Sequence, residues 1–138
     1  MQLVFVSNYF NHHQQPVSDR LHTLCQKQGG SYTFIQTEPM EEERIKMGWG
    51  EILKNTPYVR NFWEEPEVCR KLILEADAVI FGSKPKKLFR DRVQSGKLTF
   101  NYSERLFKSG TWKKYSPWHQ IKLRQAYLFD RERAPYLL

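Results

Sequence analysis

Four consecutive apolar residues, Leu3-Val4-Phe5-Val6, open the chain and stop abruptly at Ser7-Asn8. A run this short, apolar on every side chain and closed by turn formers, reads as a strand buried on both faces of a parallel sheet. Such a strand needs neighbours beside it and helices above and below it. The following residues supply them. Pro16 suits a first helical turn, Val17, Leu21, Leu24 and Cys25 recur at helical spacing, and Gly29-Gly30 provides the stop. Tyr32 to Ile35 then reads as a second strand.

The alternation continues. Glu41 to Met47 reads as a short helix ended by Gly48-Trp49-Gly50, with Glu41-Glu42-Glu43 favourably placed at its positive end. Tyr58-Val59-Arg60 reads as a third strand. Pro66 opens a helix with Val68, Cys69, Leu72, Ile73 and Ala76 on one face. Asp77 to Phe81 is the clearest internal strand, Pro85 opens a helix carrying Leu88, Phe89 and Val93 up to Gly96, and Leu98 to Tyr102 is the next strand. A helix is expected from Trp118 to Arg131. Ala134-Pro135-Tyr136-Leu137-Leu138 reads as the approach to another strand, which suggests one lobe of a longer polypeptide.

This pattern, with no internal repeat, predicts an α/β, Rossmann-like parallel sheet with helices on both faces and right-handed crossovers, as one domain over residues 1–138. A length of 138 residues suits one core of ordinary size. Ligands of such sheets bind beyond the carboxyl ends of the strands. The loops to consider are therefore 7–15, 36–40, 82–84 and 102–118.

No apolar run approaches the roughly 18–20 residues of a membrane span. No basic stretch precedes an apolar segment at the N-terminus, so a signal peptide is not expected and a cytoplasmic location follows. The two cysteines, Cys25 and Cys69, fall on helical apolar stripes and are expected to be buried structural thiols in a reducing compartment. The net charge of +7 is uneven. Residues 1–83 hold 8 Lys/Arg against 11 Asp/Glu, a net −3, and residues 84–138 hold 14 against 4, a net +10. An anionic partner should meet the second half.

Four constellations can carry chemistry. The loop Ser7-Asn8-Tyr9-Phe10-Asn11-His12-His13-Gln14-Gln15 lies where Rossmann-type folds hold phosphate or sugar groups. It lacks the glycines of a dinucleotide fingerprint, and its Asn, His and Gln side chains suit hydroxyl-rich ligands. Its paired histidines have no nearby carboxylate or cysteine to complete a metal set, so no metal is expected. The alternative is a solvated connector with Asn caps. Gly82-Ser83-Lys84 permits close backbone approach and offers a hydroxyl, or is simply a turn. In Tyr102-Ser103-Glu104-Arg105, Glu104 would orient a sugar hydroxyl and Arg105 a phosphate, unless the two form a surface ion pair. Lys108, Trp112, Lys113, Lys114, Tyr115, Trp118, His119, Lys122 and Arg124 interleave cations with rings. That composition fits an anionic membrane surface, RNA, or packing against another lobe. Nucleic acid is the weakest of these, because neither an RNP nor a helix-turn-helix pattern is present.

The segments LVFVSNYFNHHQQPVSDRL (3–21), YTFIQTEPMEEERIKMGWG (32–50), DAVIFGS (77–83) and KLTFNYSERLFKSGTW (97–112) resemble the N-terminal lobe of bacterial GT-B glycosyltransferases, of the retaining, family 4-like kind that builds lipopolysaccharide and capsule. The resemblance implies a lobe that binds a saccharide or lipid-linked acceptor, while a separate C-terminal lobe holds most of the nucleotide-sugar donor. It implies substrate contacts from Asn8, His12, His13, Gly82, Ser83, Ser103, Glu104 and Arg105, with His13 and Glu104 as catalytic candidates. It implies membrane contact through Trp112, Lys113, Lys114, Trp118 and Lys122 on the inner face of the plasma membrane, and no cofactor. The donor-lobe motif is not among these residues, so the chain alone is expected to be inactive. The alternative is a non-catalytic, flavodoxin-like binding module that recruits an anionic surface through its basic half.

Overall fold

A computed structural model describes residues 1–49, 56–83, 85–102, 110–127 and 136–137. Its strands are β1 (Gln2–Ser7), β2 (Ser31–Gln36), β3 (Val59–Asn61), β4 (Ala78–Phe81), β5 (Leu98–Asn101) and β6 (Tyr136–Leu137). Its helices are α1 (Gln15–Lys27), α2 (Glu42–Lys46), α3 (Pro66–Glu75), α4 (Lys86–Gln94) and α5 (Pro117–Tyr127), with a 3-10 helix at Thr111–Tyr115. The strands form one sheet in the order β3-β2-β1-β4-β5-β6, and every neighbouring pair is parallel. This is the Rossmann-like α/β arrangement expected from the alternation. The C-terminal segment is a strand of this sheet, with Phe100 opposite Tyr136 and Asn101 opposite Leu137.

Strand alternation sends side chains to two cores. Val4, Val6, Ile35, Val79 and Phe81 meet Cys69 and Ile73 of α3 and Leu88, Phe89 and Val93 of α4 on one face. Leu3, Tyr32, Phe34 and Ala78 meet Cys25 of α1 on the other, with Phe5, Leu21 and Ile80 packed beside them. Helices therefore cover both faces. Both cysteines are free and buried, as expected.

The helical stripes are rotated from those read in the sequence. Val17 is 57% exposed, while Ser18 is buried and exchanges a hydrogen bond of 2.9 Å with the Tyr32 hydroxyl. Likewise Val68 of α3 faces solvent. In α1 a small polar residue that finds a partner is cheaper to bury than a β-branched one that fits poorly. The Tyr58 hydroxyl donates to Asp19 Oδ1 in the same layer, so two tyrosines tie α1 to the sheet.

Burial pushes the Tyr32 phenol up from 10.0 to about 12, and burial with the Asp19 carboxylate pushes Tyr58 up as well. The folded chain thus holds these protons longer than the unfolded chain. For Tyr32 that contribution is complete below pH 10 and is lost as pH rises through 10 toward 12. For Tyr32 the loss is on the order of 2–3 kcal/mol across that window. Urea unfolding should show stability falling above pH 10, with a shallower fall in Tyr32→Phe. Equal slopes would remove Tyr32 as the cause.

Among the described residues Arg92 is the largest fully buried side chain. Its guanidinium donates to the carbonyls of Leu74 (3.0 Å), Leu98 (3.0 Å) and Asp77 (3.3 Å). Desolvation lowers its pKa, and the Asp77 carboxylate opposes that shift. Lys97 Nζ adds donors to Leu74 O and Glu75 O at the same helix end. Two cations thus satisfy the carbonyls that the end of α3 leaves open and favour its negative pole.

Candidate functional site

The strand order decides where a ligand fits. From β1 the chain departs toward β2, whereas from β4 it departs toward β5, so the two outgoing loops diverge and leave a crevice at the carboxyl edge. Ser7 ends β1 on one side. Gly82 and Ser83 follow β4 on the other, and both donate backbone N–H to Val6 O, at 2.7 and 3.2 Å. A Cβ on Gly82 would lie 3.2 Å from Phe5 Cε1 and 3.2 Å from Ser7 Oγ, so glycine lets the two strand ends close up.

Two hydroxyls meet there, beside the end of β1. Thr37, just past β2, lies 3.3 Å through Oγ1 from Ser83 Oγ and donates to Ser7 O at 3.2 Å. Ser7 Oγ lies 3.2 Å from Asn8 Oδ1 and receives Gln14 Nε2 at 3.3 Å. The backbone N–H groups of Thr37 and Glu38 bond Asn8 O at 2.8 and 2.9 Å. Asn8, Gly82 and Ser83 are thereby brought to one crevice, together with Ser7, Thr37 and Gln14, which the substrate set read from the sequence did not include.

The loop after β1 is more ordered than its composition suggests. Phe10 is completely buried against Phe34 and Tyr58, at ring separations of 4.9 and 5.9 Å, and its N–H donates to Gln36 Oε1 at 3.0 Å. Asn11 Oδ1 accepts from His13 N at 3.0 Å, and Asn11 O accepts from Gln14 N and Gln15 N, which turns the chain into α1. A lone phenylalanine inside a polar run was the available signal for this anchor.

His12 and His13 form a second group. Their rings are 3.9 Å apart, and Trp49 stands perpendicular to both at 4.6 and 6.4 Å. Arg44 of α2 lies over Tyr9 and Trp49, at 5.2 and 5.0 Å, while its Nε pairs with Glu41 at 2.9 Å. Trp49 and Arg44 were not read as site residues, since only the fold brings them to the loop that holds Tyr9. Among the described residues no group of three or more His, Cys, Asp or Glu is placed to hold a metal ion.

Asn101 is another residue that the sequence did not single out. It ends β5 opposite Phe81, is completely buried, and neither side-chain amide atom has a partner among the described residues. An unpaired buried amide is costly and often marks a functional edge.

Ser103, Glu104 and Arg105 lie outside the described residues, as does Lys84. The basic-aromatic segment is described from residue 110 to 127. Trp112, Tyr115 and Trp118 are 62%, 77% and 62% exposed. Lys113 lies over Trp112, Lys114 over Tyr115 and Lys122 over Trp118, at 5.9, 4.7 and 5.0 Å. Trp112 also meets His119 at 5.4 Å.

Protein-family models, curated proteins and solved structures give no match to this chain. Among the described residues no helix is long and apolar enough to cross a membrane. The chemistry of the carboxyl edge thus rests on its own geometry. Among the described residues it is polar, uncharged at its centre, and flanked by rings.

Proposed function

We propose that residues 1–138 form the acceptor-side lobe of a glycosyltransferase. The enzyme would move a sugar from a nucleotide-sugar donor to a saccharide or lipid-linked acceptor in cell-surface polysaccharide synthesis, with a second lobe holding most of the donor. The supporting observation is the polar group of Ser7, Thr37 and Ser83 gathered at the diverging strand ends, beside the amide of Asn8. Clustered hydroxyls and amides pair readily with a hydroxyl-rich ligand. Retaining transfer of the hexosyl type rests on the sequence resemblance alone.

In the complete polypeptide, a nucleotide sugar should be consumed with transfer to a saccharide. His13→Ala or Glu104→Ala should lower kcat by about a hundredfold if either residue moves a proton. Wild-type rates in both variants would remove them from the catalytic set. No transfer from any nucleotide sugar would overturn the reading.

A cytoplasmic location on the inner face of the plasma membrane belongs to this proposal. Exposed Trp112, Tyr115 and Trp118, each under a lysine, suit the headgroup layer of an anionic bilayer. The same observation favours the second reading, a binding module that recruits an anionic surface without catalysis. Replacing Lys113, Lys114 and Lys122 by glutamine should weaken sedimentation with phosphatidylserine vesicles roughly a hundredfold, at about 1 kcal/mol per lysine. Binding that ignores both salt and these substitutions would exclude the patch from either role.

A further inference from the structure

We infer that the wall built by Tyr9, His12, His13, Arg44 and Trp49 is an acceptor subsite for an uncharged pyranose and selects against uronic and phosphorylated sugars. The inference rests on the acceptor-lobe reading and gives that acceptor a chemical class. The wall stands on the same β1 loop as Asn8, and that loop is pinned to the end of β2 through Asn8 O. Its surface is largely ring. His12 and His13 are exposed, they lie 3.9 Å apart, and Trp49 is set at right angles to both. Electron-rich ring faces suit the apolar C–H face of a pyranose. The imidazole nitrogens, unpartnered among the described residues, are available for its hydroxyls.

The charge of the wall decides the class. Arg44 is the obvious anion receptor, but one edge of it is already engaged. Its guanidinium is held over Tyr9 and Trp49, and its Nε is paired with Glu41. The approach and short helix that carry it hold Glu38, Glu41, Glu42 and Glu43 against Arg44 and Lys46. An anionic sugar would meet that acidic excess, and like charges in proximity disfavour a ligand. A neutral sugar meets no such penalty, and carboxylates accept its hydroxyl protons well.

Ligand-observed and protein-observed NMR on the 138-residue chain tests this. The probes are methyl glycosides of neutral hexoses and N-acetylhexosamines, with their uronic-acid and 6-phosphate counterparts. The neutral probes should shift the Trp49 indole N–H and the His12 and His13 rings, and the anionic counterparts should bind at least about threefold more weakly. Trp49→Ala should weaken neutral binding roughly three- to tenfold, with Trp49→Phe largely restoring it. Equal or tighter binding of the anionic probes would overturn the neutral class while leaving a saccharide site in place. Neutral binding indifferent to Trp49→Ala would place the subsite elsewhere and overturn the inference. A folded chain that binds no saccharide of either class would overturn the acceptor-lobe reading along with it.

Discussion

Arg92→Met should cost about 3–5 kcal/mol, a large share of the roughly 5–15 kcal/mol that holds an ordinary domain together. Methionine fills much of the same volume and removes the desolvated charge, so the loss comes from the acceptors left behind. The carbonyls of Leu74, Asp77 and Leu98 converge on one guanidinium from the end of α3 and the starts of β4 and β5. Lys97 still reaches Leu74 O, but no other side chain among the described hydrogen bonds reaches Asp77 O or Leu98 O. Each of these partly buried carbonyls left without the guanidinium costs up to about 1–3 kcal/mol. Arg92→Lys should fall between the two, since one ammonium on a shorter reach cannot span three acceptors in the geometry of a planar fork. Thermal unfolding reads the effect, with a drop of roughly 10–20 °C for methionine. A midpoint within a few degrees of wild type would mean that water replaces the guanidinium at little cost. Arg92 lies at the amino edge of the sheet, so the saccharide binding proposed at the opposite edge should persist in whatever fraction stays folded.

Gly82→Val should act at the opposite edge and affect both stability and binding. Even a Cβ would stand 3.2 Å from Phe5 Cε1 and from Ser7 Oγ, closer than such contacts usually come. The two further methyl groups of valine must enter the space between β1 and β4 or the hydroxyl cluster itself. Overpacking of this kind costs about 1–3 kcal/mol. Separating the strand ends would also pull Ser83 Oγ away from Thr37 Oγ1 and disturb the bond from Gly82 N to Val6 O. Gly82→Ala asks for a shift of only a few tenths of an ångström and should be the milder change. Urea midpoints together with saccharide titrations of both variants distinguish the two effects. Valine tolerated without loss of either property would show that the crevice between β1 and β4 is wider in solution than its hydrogen bonds imply.

Much of this molecule was legible as pattern. Leu3 to Val6 had to be an interior strand because four apolar residues in a row have no solvent face to offer. The spacing of Cys69, Ile73 and Ala76 marked the buried side of α3, and Gly29-Gly30 and Gly96 marked two helix ends, each with a glycine at positive φ. The loops at the carboxyl edge followed from the alternation of strands and helices, before any side chain was placed. Val17 and Val68 were misjudged from the same pattern, and buried Ser18 was not singled out. Helical periodicity locates a stripe only to within a residue or so, and a buried partner such as the Tyr32 hydroxyl can outweigh an apolar side chain.

The amino-acid sequence by itself therefore determined the fold class and the edge at which a ligand would meet it, because both depend on local periodicity and turn chemistry. Tertiary structure alone decided which residues share that edge. Thr37 joins Ser83 across 46 positions, Phe10 anchors the loop through Gln36, and Trp49 crosses to His12 and His13. Asn101 and Arg92 became distinctive only once burial and hydrogen bonding were known. Contacts between segments far apart in sequence depend on strand order and register, and neither is written in the spacing of residues along one segment.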